Sequence, residues 1–165
     1  MWSDPNLLKV LKGDGVVVMP TDTLYGIVGR AQNASTVEKI YKIKKRSPEK
    51  KLINLIADWE DIKKFRIDPK KFKIPQFNEP TSVILEDISF RLPQNENLRE
   101  LIRKTGPLVA PSANPEDLPP AQNIDEARKY FGNQVDLYID GGTITARASK
   151  VIRLHADGSI TILRE

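Results

Sequence analysis

Apolar residues along this chain keep two rhythms, one of helix and one of strand. Leu7, Leu8 and Leu11 share a helical face; Asp4 and Pro5 supply an N-cap and first helical residue, and Gly13 a stop. Val16 to Met19 is a short, largely β-branched run between Gly15 and Pro20, the mark of a buried strand. Pro20 lacks the amide donor a ladder needs and should end it. Ser35-Thr36-Val37-Glu38 has the spacing of a capping box, opening a helix with Val37, Ile40 and Tyr41 on one face that ends near Ser47-Pro48. Leu52 to Ala57 predicts a strand, and Asp58 caps a short helix reaching about Phe65. Residues 67–78, broken by Pro69 and Pro75, predict no element.

Ser82 to Leu85 and Ser89 to Leu92 read as strands with a tight connection. A helix over Asn97 to Lys104 buries Leu98, Leu101 and Ile102, and Gly106 closes it. Leu108 to Ala110 is a further buried strand, and the prolines between Pro115 and Pro120 make a loop. Asn123-Ile124-Asp125-Glu126 caps a helix that Gly132 ends, and Val135 to Ile139 is a strand running into Asp140-Gly141-Gly142. Lys150 to His155 and Ser159 to Leu163, around Asp157-Gly158, form a hairpin. Helices alternating with strands, then a hairpin, predict one α/β domain over residues 1–165. Its sheet should be twisted, mixed parallel and antiparallel, and flanked by helices.

Composition narrows the chemistry. With no cysteine, disulfides, thiolate metal sites and thiol catalysis are excluded, and a reducing, cytoplasmic setting is expected. Leu7 to Leu11 is too short and interrupted for a signal or membrane segment, so no membrane partner is expected. The net charge of +4 hides an asymmetry. Residues 1–75 carry sixteen Lys/Arg against nine Asp/Glu, whereas residues 76–165 are net acidic. The excess gathers in Lys42 to Lys51, where it could face phosphates or RNA, and in Lys63 to Lys73, where a solvated face is expected.

No phosphate-loop, dinucleotide or nucleophile-elbow motif is present, and His155 is the only histidine, which argues against a Ser-His-Asp triad or a His-based metal site. What remains is polar groups at strand ends beside cations. Thr21-Asp22-Thr23-Leu24-Tyr25-Gly26 follows the first strand, where open α/β sheets bind ligands. A local turn built by Asp22 and the threonines is the plainer alternative. Gly26 and Gly29 are expected to let backbone approach a ligand. Lys44, Arg46, Arg91 and Arg164, with Ser82, Ser112, Asn114 and Ser149, could hold a triphosphate and a small zwitterion. The set contains no evident nucleophile, which suits substrates that react with one another on a positioning surface.

Pro20-Thr-Asp-Thr-Leu-Tyr-Gly26 followed by Lys44-Lys-Arg46 resembles the opening of the YrdC family, the threonylcarbamoyl-AMP synthases. The likeness runs with gaps from Gly13 to Arg164. Arg91-Leu-Pro93, Pro111-Ser-Ala-Asn114, Asp140-Gly-Gly142, Ser149-Lys-Val-Ile152 and Ile162-Leu-Arg164 fall in the family's order. The resemblance implies condensation of L-threonine, bicarbonate and ATP, with Mg²⁺ accompanying ATP. The product would be threonylcarbamoyl-AMP, with pyrophosphate released, for modification of adenosine in tRNA. It implies threonine at Thr23, Tyr25 and Ser149, and ATP at Lys44, Arg46, Ser82, Ser112, Asn114 and Arg164. Lys44 and Arg46 would serve catalysis, Arg91 would contact substrate, and tRNA or tRNA-modification proteins would be partners. Departures stand at Ser47, Lys51, Asn78-Glu79, Gln94-Asn-Glu96 and Pro115-Glu-Asp117, and the connection between Leu85 and Phe90 is short. A YrdC-like module that binds nucleotide or RNA without turnover is the alternative.

Overall fold

A computed structural model describes all residues 1–165. The elements run α1 (Pro5–Lys12), β1 (Val17–Pro20), β2 (Tyr25–Arg30), α2 (Ala34–Lys44), β3 (Ile53–Leu55), β4 (Thr81–Leu85), β5 (Ile88–Arg91), α3 (Glu96–Thr105), β6 (Leu108–Val109), α4 (Ile124–Phe131), β7 (Leu137–Tyr138), β8 (Lys150–Leu154) and β9 (Ile160–Arg164). The strands form one nine-stranded sheet in the order β7-β1-β2-β6-β3-β5-β4-β8-β9. β1/β7, β3/β5 and β4/β8 pair in parallel, while β1/β2, β2/β6, β3/β6, β4/β5 and β8/β9 pair antiparallel. The mixed α/β sheet is therefore the predicted one.

Alternation in β1 divides the layers. Val16 and Val18 join Ile40 and Ile43 of α2 and Ile124, Ala127 and Phe131 of α4 on one face. Val17 and Met19 turn to the other, against Leu7 and Leu11 of α1 and Leu98, Leu101 and Ile102 of α3. A third core forms where Ile62, in the 3-10 helix Trp59–Phe65, packs with Val83, Phe90 and Ile152.

Several local expectations are corrected. The largest is β2, read as part of a loop, which pairs with β1 in register from Val17↔Val28 to Pro20↔Tyr25; Pro20 does end β1, as the last paired residue of a hairpin arm. Gly26 and Gly29 sit inside β2 and serve packing. A Cβ on Gly29 would lie 2.5 Å from Thr36 Cγ2, so this glycine lets α2 lie close on the sheet. Gly26 lies against Pro111 O, where a Cβ would meet the oxygen at 3.2 Å. The α2 N-cap is Asn33, whose side chain accepts from Thr36 N, in place of the Ser35 capping box. α2 also stops earlier than predicted, at Lys44, because Lys45 adopts a left-handed cap with φ 53°. The short helix expected from Asp58 to about Phe65 is present, as the 3-10 helix Trp59–Phe65 with Asp58 at its N-cap, whereas Pro69–Lys71 adds a 3-10 turn where no element was predicted.

Candidate functional site

The hairpin connection Thr21 to Leu24 is rigid because its hydroxyls replace missing ladder bonds. Thr21 N and Thr21 Oγ1 both donate to Leu24 O, at 3.0 and 2.6 Å, and Thr23 N donates to Thr21 Oγ1 at 3.2 Å. The local-turn reading thus holds for the threonines. It fails for Asp22, whose carboxylate turns away to Arg91, 69 residues on, at the end of β5. Arg91 Nε lies 3.0 and 3.1 Å from the two carboxylate oxygens and Nη2 lies 2.8 Å from Oδ1. Both side chains are buried, Arg91 3% and Asp22 8% exposed. A forked pair in so dry a place is far less screened than a surface ion pair.

Around this pair the strand ends converge. Ser82 stands opposite Arg91 in the β4/β5 ladder, and its hydroxyl lies 2.7 Å from that of Ser149, just before β8. Arg91 Nη2 reaches Thr23 Oγ1 at 3.3 Å, and Nη1 approaches the Ser82 and Ser149 hydroxyls at 3.5 Å. From β9, Arg164 donates through Nε and Nη2 to Ser149 O at 2.9 and 2.7 Å. Partial burial and the charge of Arg91 lower the Arg164 pKa, although the guanidinium stays protonated.

The opposite wall comes from the α2 terminus. Arg46 Nη1 donates to Glu116 Oε1 at 3.0 Å, and its Nη2 to Lys51 O at 2.8 Å. Lys50 shares Glu116. Burial pushes the Glu116 pKa up, but the Lys50 and Arg46 hydrogen bonds outweigh it and hold the carboxyl below its ordinary range. Together these elements enclose a cavity of ≈ 240 Å³ walled by Thr23, Tyr25, Arg46, Lys51, Arg91, Ser112, Ser149 and Arg164, among others. Three guanidiniums and an ammonium around hydroxyls make a receptor for anions.

Three predicted ligands do not line this cavity. Lys44, expected at an exposed helix end, is fully buried: its Nζ donates to Ser112 O at 2.6 Å and Asn114 O at 2.7 Å, with Asn114 Oδ1 at 3.4 Å. Asn114 turns inward too, accepting from Ser112 Oγ at 2.6 Å and donating to Pro115 O and Leu118 O. Ser82 lies beneath Arg91, fully buried. These three side chains shape the wall from behind. Conversely, Lys51 lines the cavity, and Asp22 and Glu116 hold two of its arginines, without having been assigned from the sequence; the partners of the two carboxylates lie 69 and 70 residues away, beyond any spacing rule.

Tyr25 ties the site to residues 141–148, which have no regular structure. Its hydroxyl accepts from Gly141 N at 2.8 Å and donates to Gly142 O at 2.6 Å. Burial pushes the phenol pKa up, the Gly141 N–H lowers it and the Asp140 charge raises it again, so the group stays neutral and can do both. Tyr25→Phe is therefore expected to cost about 0.5–1.5 kcal/mol for each bond lost, since Gly141 and Gly142 are exposed and water can replace the phenol. Limited proteolysis should then cut faster within 141–148; an unchanged cleavage rate would mean that Ile144 N bonded to Gln122 O holds the segment alone.

No helix is long and apolar enough to cross a membrane. No group of three His, Asp or Glu side chains stands close enough to hold a metal ion. The profile of the Sua5/YciO/YrdC domain, described as telomere recombination, matches residues 9–165. A protein of Pseudomonas fluorescens (strain Pf0-1) named threonylcarbamoyl-AMP synthase is 28% identical, with 96% of each chain covered. One of the same name from Coxiella burnetii (strain RSA 493) is 28% identical over 81% of this chain and 82% of its own. The fold matches P. abyssi Sua5, whose crystal structure is complexed with L-threonine, at TM-score 0.78 and 23% identity. That match covers 96% of this chain but about half, 52%, of the Sua5 chain. E. coli YciO matches at TM-score 0.74 and 20% identity, covering 97% of this chain and 87% of YciO. With the profile spanning nearly its whole length, this chain belongs to the Sua5/YciO/YrdC family.

Proposed function

We propose that this chain is an L-threonylcarbamoyladenylate synthase that condenses L-threonine, bicarbonate and ATP. The observation carrying the proposal is the cation- and hydroxyl-lined cavity where the β1–β2 connection, the start of β3, the ends of β5 and β9, and the segments after β6 and before β8 meet. Its relatives' names and the threonine held by Sua5 supply the substrate class. In this reading the threonine amine attacks the bicarbonate carbon and water leaves, giving a carbamate. A carbamate oxygen then attacks the α-phosphorus of ATP, and the bond to the β-phosphate bridging oxygen breaks to release pyrophosphate. No protein nucleophile takes part.

The chain's work is positioning and charge neutralisation. Thr23, Ser149 and the backbone beside Tyr25 hold threonine at the end nearest Arg91. Arg46, Lys51 and Arg164 take the phosphates, with Ser112 as a neutral donor and Lys44, Ser82 and Asn114 fixing the walls. Mg²⁺ enters with the phosphates as MgATP, the substrate form that dense phosphate charge favours. The product is a mixed anhydride, and its consumer would be a tRNA-modifying protein that transfers threonylcarbamoyl to adenosine.

Pyrophosphate release by the purified chain should require L-threonine, bicarbonate and MgATP together. Release that ignores threonine would refute the synthase. Salt-sensitive RNA binding with no turnover would establish the non-catalytic module in its place.

A further inference from the structure

The site's cations are not equivalent. Arg46 and Lys50 share the carboxylate of Glu116. Arg91 is matched one for one by Asp22. Arg164 and Lys51 have no carboxylate within ion-pair distance, although both line the same cavity. Arg91 and Arg164 are close enough to share the Ser149 hydroxyl, at 3.5 and 3.3 Å, and close enough for one charge to depress the other's pKa. Unopposed, two guanidiniums at this spacing would form one strong, poorly selective anion trap.

We propose that Asp22 is a positioning and specificity-determining residue, which cancels the charge of Arg91 and makes that guanidinium a scaffold for hydroxyls instead of an anion ligand. This leaves Arg164 as the uncompensated guanidinium at that end of the cavity. The geometry favours a scaffold role: Nε and Nη2 of Arg91 are committed to the carboxylate, and the remaining donors address Thr23, Ser82 and Ser149. Asp22 thereby sets how much anionic charge the cavity retains. That matters for a site that must release a highly charged inorganic product while keeping a zwitterion in register. The inference rests on this cavity being the anion site of the proposed reaction.

The test is calorimetric titration of inorganic pyrophosphate into the full chain, without turnover. Asp22→Asn keeps the shape and one acceptor while removing the charge. It should bind pyrophosphate about three- to tenfold more tightly at low salt, and the gain should shrink as salt is added. Arg91→Met leaves the Asp22 carboxylate unopposed and should bind about tenfold more weakly than wild type. The double variant Asp22→Asn/Arg91→Met removes both charges and should return near the wild-type affinity. Equal affinity in wild type and Asp22→Asn would overturn the proposal, as would failure of wild type to bind. If Asp22→Asn does not fold, the comparison between Arg91→Met and the double variant decides: tighter binding by the double variant supports the charge role, and equal binding refutes it. A cycle that behaves as predicted in a chain releasing no pyrophosphate from substrates would sink the synthase reading alone. Normal turnover with a flat cycle would sink only the role of Asp22.

Discussion

Lys44→Ala is expected to lower the melting temperature sharply and to damage the whole site at once. The side chain is buried at the end of α2, and its ammonium is the donor for Ser112 O and Asn114 O. Truncation orphans both carbonyls and opens a void where the aliphatic stem stood. Each orphaned group costs about 1–3 kcal/mol, so the loss should be about 3 kcal/mol or more. Asn114 would lose a partner as well, and the loop carrying Ser112 into the cavity would loosen. Lys44→Met, which fills most of the space, should lose less. A phosphate-binding lysine predicts the reverse, with ATP affinity falling tenfold or more while the melting temperature holds.

The same burial has a signature in pH. Desolvation, aided by the Arg46 charge and opposed by Glu116, pushes the Lys44 pKa from 10.5 down to about 8. Between those values the unfolded chain binds the proton that the folded chain has released. Lys44 thus makes stability rise with pH across that window, and its contribution is level below about pH 8. The pH dependence of unfolding in wild type and Lys44→Met should diverge there, with the wild type gaining stability relative to the variant.

The second large effect lies at Arg164. Its backbone pairs with Val151, so the residue belongs to β9 and not to a frayed end. Two of its nitrogens fork onto Ser149 O, a geometry one ammonium cannot reproduce, while Nη1 donates to no protein atom and is free for an anion. A charge-assisted contact is worth about 1.5–3 kcal/mol. Arg164→Lys should therefore raise the KM for ATP about tenfold. Removal of residues 164 and 165 should cut kcat/KM about hundredfold or more, because the Ser149 carbonyl also loses its clamp. Circular dichroism should be unchanged, since only the last β8/β9 pair goes. A truncated chain with full turnover would show that Arg164 is only the end of a strand.

How much of this was legible in the sequence depended on range. Elements with a clean local period, such as α3 with Leu98, Leu101 and Ile102, stood out at once. β2 did not, because Gly26 and Gly29 interrupt its apolar run, and a glycine's missing Cβ does not reveal which neighbour it admits. The α2 N-cap was read at Ser35 from its capping-box spacing, but the Thr36 amide bonds to Asn33, two residues earlier. β6 and β7 were expected as strands and are found, but trimmed to Leu108–Val109 and Leu137–Tyr138. In the site, the hydroxyl-rich connection after β1 and the arginines at strand ends were readable as chemistry. Their partners were not: Asp22 finds Arg91 across 69 residues, and Lys44 finds Asn114 across 70. A lysine closing a helix ordinarily faces water; only the fold brings two carbonyls to its end.

The central claim is best tested by following bicarbonate carbon into a product. The full chain would be incubated with MgATP, L-threonine and ¹³C-bicarbonate, and the nucleotide fraction examined by mass spectrometry at early times. The expected result is a threonylcarbamoyl adenylate carrying the ¹³C label in its carbamoyl group, formed in step with pyrophosphate and absent when threonine is omitted. Pyrophosphate released without any labelled adenylate, or no consumption of ATP by a chain that binds it, would contradict the synthase.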